Sequence, residues 1–210
     1  MQKIIIVGGG GHAKVVASII KKLDTFEIVG YVANDDSGLL LGIRYLGTDV
    51  VLQNIKTQYP DCAAVLGIGY LGKGQLREQL VDKLNVFGFA FPTIVSSRAV
   101  VNEEVEIDEG AVVMDGVVIN SGTHIGRYAI VNTCASIDHD CEISDFVHIA
   151  PGVTFSGGVK VGASSLIGVG AAVVQYKTIG DHCIVGAGAV VTTDCLEVGT
   201  YVGVPAKKLV

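Results

Sequence analysis

The tripeptide Asp138-His139-Asp140 is where this sequence could do acid–base chemistry. An imidazole titrates near neutral pH, and an adjacent carboxylate can fix its tautomer and raise its basicity, as a general base requires. One glycine belongs to the same argument. Gly157, in Ser156-Gly157-Gly158, stands three hexads beyond His139. In a chain that completes one coil in three hexads, it would stack beside the histidine. A glycine there leaves room for a substrate and exposes a backbone N–H that could stabilise an oxyanion. The plain alternative is a solvated histidine in an acidic turn. His124, His148 and His182 are the other histidines of the C-terminal half. None of the spacings among the four is a whole number of three-hexad coils, so no three of them stack on one face. No pair has close metal-ligand spacing either. No metal is expected within one chain. His148 should face the side opposite His139, so packing about a three-fold axis could bring His139 of one chain to His148 of another. His124 and His182 read as surface histidines.

A second candidate site opens the chain. Gly8-Gly9-Gly10-Gly11 follows the apolar run Lys3–Val7 and leads into His12 and a helical stretch. A glycine turn from strand to helix leaves backbone N–H groups at a helix N-terminus, a natural anion site. It is not a strict G-x-G-x-x-G and is weak evidence alone, because a tight turn needs the same residues. Asp35-Asp36 follows the second strand, where such folds hydrogen-bond a ribose or base, and Gly69 closes the third on the same edge. The domain is too short for both halves of a dinucleotide site, so a single nucleotide or nucleotide-sugar is the expected ligand.

The elements that position these residues follow from a period of six. Every sixth residue from Val101 to Val191 is aliphatic or aromatic without exception, including Ile107, Val113, Ile119, Ile125, Ile137, Phe155 and Ile179. Neither a helix nor a single strand sustains that period; a hexapeptide β-helix does. The position four residues later is mostly small (Ala111, Ala129, Ala135, Cys141, Ser165, Ala171, Cys183, Ala189). The position just after is often Gly, Asn or Asp (Asn120, Gly126, Asp138, Gly162, Gly168, Gly180, Gly186), which suggests left-handed corners there. Before the repeats, strands at Lys3–Val7, Phe26–Tyr31, Ala63–Ile68 and Val86–Phe91 alternate with helices at His12–Leu23, 48–58 and Leu76–Leu84. That alternation implies a small parallel sheet covered by helices. The expected domains are residues 1–95, a small Rossmann-like α/β unit, and residues 96–210, a parallel β-helix capped by its C-terminal tail.

Composition narrows the function. Half of the 210 residues are hydrophobic, only 17% are charged, and the formal charge is −6. That balance suits extensive burial, some of it between subunits, and argues against nucleic acid as a partner. None of the five cysteines forms a CxxC pair, and three sit at the small inward position, so a reducing cytoplasm is expected. No apolar run is long enough to span a membrane, and no signal peptide is read.

These motifs together resemble those of bacterial nucleotide-sugar acetyltransferases of the left-handed β-helix class, in particular the PglD-like and NeuD-like (sialic-acid O-acetyltransferase-like) group. They are Ile6-Val7-Gly8-Gly9-Gly10-Gly11-His12-Ala13-Lys14-Val15, Asp35-Asp36, Gly67-Ile68-Gly69, Asn132-Thr133, Asp138-His139-Asp140, Phe146-Val147-His148, Gly157-Gly158-Val159 and Gly203-Val204-Pro205-Ala206-Lys207. The resemblance covers essentially the whole chain, and the left hand of the helix comes from it alone. It implies His139 as general base and Asp140 as its orienting carboxylate. It implies His148 as the contact to the acetyl end of acetyl-CoA, Gly157 as the backbone donor near the thioester, and Val169 and Ala187 as lining of the CoA groove. It implies Gly10, Gly11, His12, Asp35, Asp36 and Gly69 as nucleotide-sugar contacts. It also implies a homotrimer with acetyl-CoA between neighbouring prisms. The expected activity is acetyl-CoA-dependent N-acetylation of the 4-amino group of a UDP- or dTDP-linked 4-amino-4,6-dideoxy-sugar, for bacterial surface glycans or glycoproteins. An O-acetyltransferase for sialic acid or another polysaccharide sugar is the alternative, because amine and hydroxyl acceptors need the same base.

Overall fold

The computed structural model describes residues 1–36, 38, 40–72 and 74–209. The chain divides into two compact units. One comprises Met1–Gly69 with Gly74–Ser97; the other comprises the repeats from Arg98 onward together with a short stretch beginning at Tyr70.

The first unit contains β1 (Gln2–Val7), α1 (Gly11–Ile20), β2 (Phe26–Val32), β3 (Tyr45–Gly47), α2 (Leu52–Gln58), β4 (Ala63–Leu66) and α3 (Leu76–Val86). Its strands form a parallel sheet in the order β3-β2-β1-β4. β1 lies in the middle, so Ile4, Ile5 and Ile6 are fully buried, as a run without polar alternation requires. α1 buries Ala13, Val16, Ala17, Ile19 and Ile20 and leaves Val15 exposed. The chain moves outward from β1 through β2 to β3, then returns to the other side of β1 for β4. β1 and β4 are therefore neighbours, and the loops that follow them lie side by side at the carboxyl end of the sheet, where open α/β sheets bind ligands.

The structure departs from the sequence reading of this unit in two places. β3 has no counterpart in it, because Tyr45-Leu46-Gly47 is too short to show a period. The strand expected at Val86–Phe91 does not form. α3 runs on to Val86, Gly88 turns the chain at φ +76°, and Ala90 alone bridges to Ala63.

The second unit is a triangular prism. Each coil is three hexads long and contributes three short strands separated by corners. Each strand pairs in parallel with its counterparts one coil before and one coil after, as Ser136-Ile137 does with Val118-Ile119 and Thr154-Phe155. The inward column, from Val113 through Ile137 and Phe155 to Val191, is buried. Each such side chain contributes roughly 1.5–3 kcal/mol relative to exposure. The small residues at the position beneath the corners are fully buried too, among them Ala111, Ala129, Ala135, Cys141, Ala171, Cys183 and Ala189, whereas Lys177 at that position is only half-buried. Thr123 and Ser165 at that position are not core defects. Thr123 Oγ1 donates to the Asp138 carbonyl (2.9 Å) and accepts from Cys141 N (3.1 Å); Ser165 Oγ links Gly180 O and Cys183 N in the same way. The tail ends the prism: Thr200–Val202 extends one face, and Lys207–Lys208 turns back antiparallel to it.

The corners differ from the sequence reading in one respect. The left-handed residue is the third after the inward aliphatic, not the first. Every sixth residue from Glu104 to Gly188 has φ between +52° and +75°, including Tyr128, Cys134, Asp140, Phe146, Ser164, Tyr176 and His182. The glycines of the first position answer another demand. A Cβ on Gly168 would lie 2.6 Å from Ala187 N, and one on Gly126 would lie 2.7 Å from Ser144 C. They are glycine because the next coil's backbone passes directly over them.

Candidate functional site

The corner Asp138–Cys141 carries the prism's most developed acid–base group. The period of six puts Ile137 inside and turns the next residues outward, so His139 stands in solvent with half of its side chain accessible. Asp140 takes the left-handed position at φ +58°, and its Oδ2 lies 2.7 Å from His139 Nδ1. A carboxylate only accepts, so Nδ1 carries the proton and Nε2 presents its lone pair. The hydrogen bond to Asp140 holds the imidazole pKa above its ordinary value, with the charges of Asp138 and Asp140 acting in the same direction. The corner is held on several sides. Asp138 Oδ1 accepts the His139 N–H at 2.9 Å, Asp140 N donates to Ser121 O at 3.1 Å, and Thr123 braces it from within.

Gly157 lies against the imidazole. A Cβ there would fall 2.5 Å from both His139 Cε1 and Nε2, so only glycine accommodates the ring in this position. Its N–H donates to no acceptor among the described residues, whereas its carbonyl accepts Tyr176 N at 3.0 Å and Gly158 N donates to His139 O at 2.8 Å. A free donor thus sits beside an oriented base. Tyr176, largely exposed, lies over Gly158 on the far side of the pair, where a Cβ on Gly158 would strike its ring.

His148, in the strand that leads to the inward Ile149, is set into the protein and not in solvent. It is 8% exposed, with Nδ1 donating to Tyr70 O at 2.7 Å and Nε2 3.2 Å from Asn132 Nδ2. Asn132 Oδ1 accepts Thr133 N at 2.8 Å, which fixes the amide so that Nδ2 faces the imidazole. Tyr70 also donates through its hydroxyl to Ser164 O at 3.1 Å. The sequence reading includes Asn132 in a motif without giving it a role and misses Tyr70, which lies 78 residues from His148 along the chain. Val169 and Ala187 are exposed at another corner, stacked one coil apart by the bond from Gly188 N to Val169 O at 2.9 Å. Gly170 and Gly188 beside them have open space around Cα, which makes this corner a smooth wall. Among the described residues no three His, Cys, Asp or Glu side chains converge as a metal ion would need.

In the first unit, the loops after β1 and β4 meet. A Cβ on Gly8 would fall 2.6 Å from Gly67 O, and one on Gly69 would lie 3.8 Å from the His12 ring. Gly10 and Gly11, at the start of α1, are open above their Cα atoms. A cavity of about 230 Å³ opens at this edge, lined among others by Gly8, Gly9, Asn34 and Ile68. Asp35 is exposed. Asp36 is committed locally: Oδ1 accepts the Tyr31 hydroxyl at 2.6 Å and Gly38 N at 2.9 Å, which holds its pKa below the usual carboxylate value. The structure thus gathers Gly10, Gly11, His12 and Gly69 at one edge and gives Asp36 a structural partner.

Comparison with known proteins follows the same division. Residues 3–84 match the family described as the PglD N-terminal domain. The chain is 32% identical over 116 residues to the UDP-N-acetylbacillosamine N-acetyltransferase of Bacillus subtilis (strain 168), a match spanning 54% of this chain and 52% of that protein, about half the relative's length. Among solved structures, a histidine-to-asparagine variant of perosamine N-acetyltransferase from Caulobacter crescentus, in complex with CoA and GDP-perosamine, is 36% identical, with a TM-score of 0.92 over 100% of this chain and 97% of that one. The acetyltransferase domain of PglB from Neisseria gonorrhoeae, in complex with acetyl coenzyme A, is 34% identical, with a TM-score of 0.89 over 99% of each chain. Matched along its whole length in sequence and in fold, with the repeat and both glycine-rich sites in place, the chain belongs to the PglD-like family of nucleotide-sugar acetyltransferases, an α/β domain followed by a left-handed β-helix.

Proposed function

We propose that the chain transfers the acetyl group of acetyl-CoA to the 4-amino group of a nucleotide-linked amino sugar, with His139 as general base. The observation that carries this reading is the pairing of His139 Nδ1 with Asp140 beside the free N–H of Gly157. His139 Nε2 takes a proton from the amine as its nitrogen attacks the thioester carbonyl. The oxyanion of the tetrahedral intermediate accepts the Gly157 N–H. The C–S bond then breaks, the amide forms, and the thiolate leaves with the electron pair and recovers a proton from the imidazolium. No covalent enzyme intermediate is required. Relatives whose complexes hold CoA with GDP-perosamine, or acetyl coenzyme A, support both substrate classes.

The rest of the site follows from the same reading. Acetyl-CoA runs along the smooth corner of Val169 and Ala187, with His148 and Asn132 at its acetyl end. Gly10, Gly11, His12, Asp35, Asp36 and Gly69 serve the nucleotide-sugar. Three chains assemble about a three-fold axis, so that the His139 corner of one prism faces the Val169 corner of its neighbour. The enzyme works in the cytoplasm, where acetyl-CoA is available, and supplies acetylated sugars for surface glycans. Thiol release from acetyl-CoA, measured with UDP-, dTDP- and GDP-linked 4-amino sugars and with the matching 4-hydroxy sugars, tests the reading. Release that depends on the amine supports it. Equal or greater release with the hydroxyl acceptors, or with sialic acid, would replace N-acetylation by O-acetylation.

A further inference from the structure

We propose that Asn120 is a positioning residue for the base: Asn120 holds Asp138, and Asp138 holds His139. The proposal rests on the reading of His139 as general base.

Asn102, Asn120 and Asp138 occupy the same corner position in three successive coils. Asn102 Nδ2 donates to Asn120 Oδ1 at 2.8 Å, and Asn120 Nδ2 donates to Asp138 Oδ1 at 2.9 Å. An ionised carboxylate only accepts, so Asp138 fixes the orientation of both amides. Hydrogen bonds in such a chain point one way and polarise one another. The same Oδ1 accepts the His139 backbone N–H at 2.9 Å, so the ladder ends on the residue that carries the base. Above it the column continues as Ser156 and Val174, without amides. The ladder spans only the coils that lead up to His139, whereas one that merely braced the solenoid would have no reason to stop there.

The ladder also stabilises a charge. The Asn120 hydrogen bond, followed by that of the His139 N–H, holds the Asp138 pKa below the usual aspartate value. The Asp138 charge in turn adds to the Asp140 hydrogen bond in raising that of His139. The groups facing His139 are few. Its own corner gives Asp138 and Asp140, the coil before gives Ser121, Gly122 and Thr123, and the coil after gives Ser156, Gly157 and Gly158, with Tyr176 beyond. Asp138 and Asp140 are the only carboxylates in that set, and Asn120 governs one of them.

The test is an NMR titration of the His139 imidazole in the full-length chain, assigned with His139→Gln, for the wild type, Asp138→Asn and Asn120→Ala. Asp138→Asn keeps the shape and the acceptor but removes the charge, so it preserves the fold if Asn120→Ala does not. Asp138→Asn is expected to move the His139 midpoint downward; Asn120→Ala, which leaves Asp138 ionised near neutral pH, acts on the position of the base and not on its midpoint. The plateau of kcat is expected to fall about 3- to 10-fold, a small share of the 10²–10⁴ a general base supplies, with KM for acetyl-CoA unchanged. A His139 midpoint unmoved in Asp138→Asn would overturn the proposal. So would an Asn120→Ala chain that loses only thermal stability. Absence of acetyl transfer in the wild type would instead refute the general-base reading, while the titration still reports on the ladder.

Discussion

Gly157→Ala should leave the fold standing and remove the activity. The φ of Gly157 lies outside the left-handed region, so alanine can adopt this backbone. The obstacle is the imidazole, because the added methyl would sit 2.5 Å from His139 Cε1 and Nε2. Carbon atoms in good contact stand about 3.5–4.0 Å apart, so the ring must move by about 1 Å or more. The imidazole is exposed and free to swing away, so the fold need not yield. The alanine also restricts the unfolded chain, worth about 0.4–1 kcal/mol in favour of the folded state. The melting temperature is therefore expected to stay within about 4 °C of wild type. Catalysis has no such freedom. A misplacement of about 1 Å can cost about 10²-fold, and full loss of a general base about 10²–10⁴-fold. Thiol release from acetyl-CoA and thermal melts on the same preparation measure the two effects. The double variant with His139→Ala supplies the control. If Gly157→Ala acts by displacing His139, adding it to His139→Ala should reduce the rate little further. Activity above about a tenth of wild type in Gly157→Ala, or fully multiplicative losses in the double variant, would refute this reasoning.

Three further outcomes follow from the same geometry. Because the His139 pKa is raised, chiefly by Asp140, and the neutral imidazole is the active form, kcat/KM should rise with pH through a midpoint above the ordinary histidine value of about 6.5. Asp140→Asn should move that midpoint down and lower the plateau, as a pH–rate profile would show. Gly168→Ala should destabilise the prism more than Gly170→Ala in denaturant titrations. A methyl on Gly168 meets Ala187 N at 2.6 Å, whereas Gly170 has φ +66° and open space, so its substitution costs only about 1–2 kcal/mol of left-handed strain. Phe155→Ala, in the inward column and 1% exposed, should cost about 3–5 kcal/mol by the same titration.

Much of this was legible in the sequence, because a period of six is a strict geometric code. It places Ile137 inside, His139 outside and Gly157 over His139, and the structure does the same. The corners were less legible. Glycine at the first corner position resembles a left-handed residue but answers the close passage of the next coil. The true left-handed sites carry Tyr128, Cys134, Phe146 and Tyr176, types that no propensity argument would choose. A closed coil imposes that conformation on whatever residue arrives there. The surroundings of His148 were not legible, since its partner Tyr70 comes from a stretch outside the repeat, where no periodicity connects the two. The local role of Asp36 was hidden for a similar reason. Its bond to Tyr31 is a turn contact, and a pair of aspartates after a strand gives no sign of which carboxylate is already engaged.

The most direct test is a single-turnover measurement of acetyl transfer to a nucleotide-linked 4-amino sugar, with the product identified by mass, in the wild type and in His139→Ala across the pH range. The wild type should form the acetamido sugar at a rate that rises with pH to a plateau. The His139→Ala rate should be about 10²–10⁴-fold lower and should lose the imidazole limb of the profile. A variant that keeps the wild-type rate and the same pH dependence would contradict the assignment of His139 as the base.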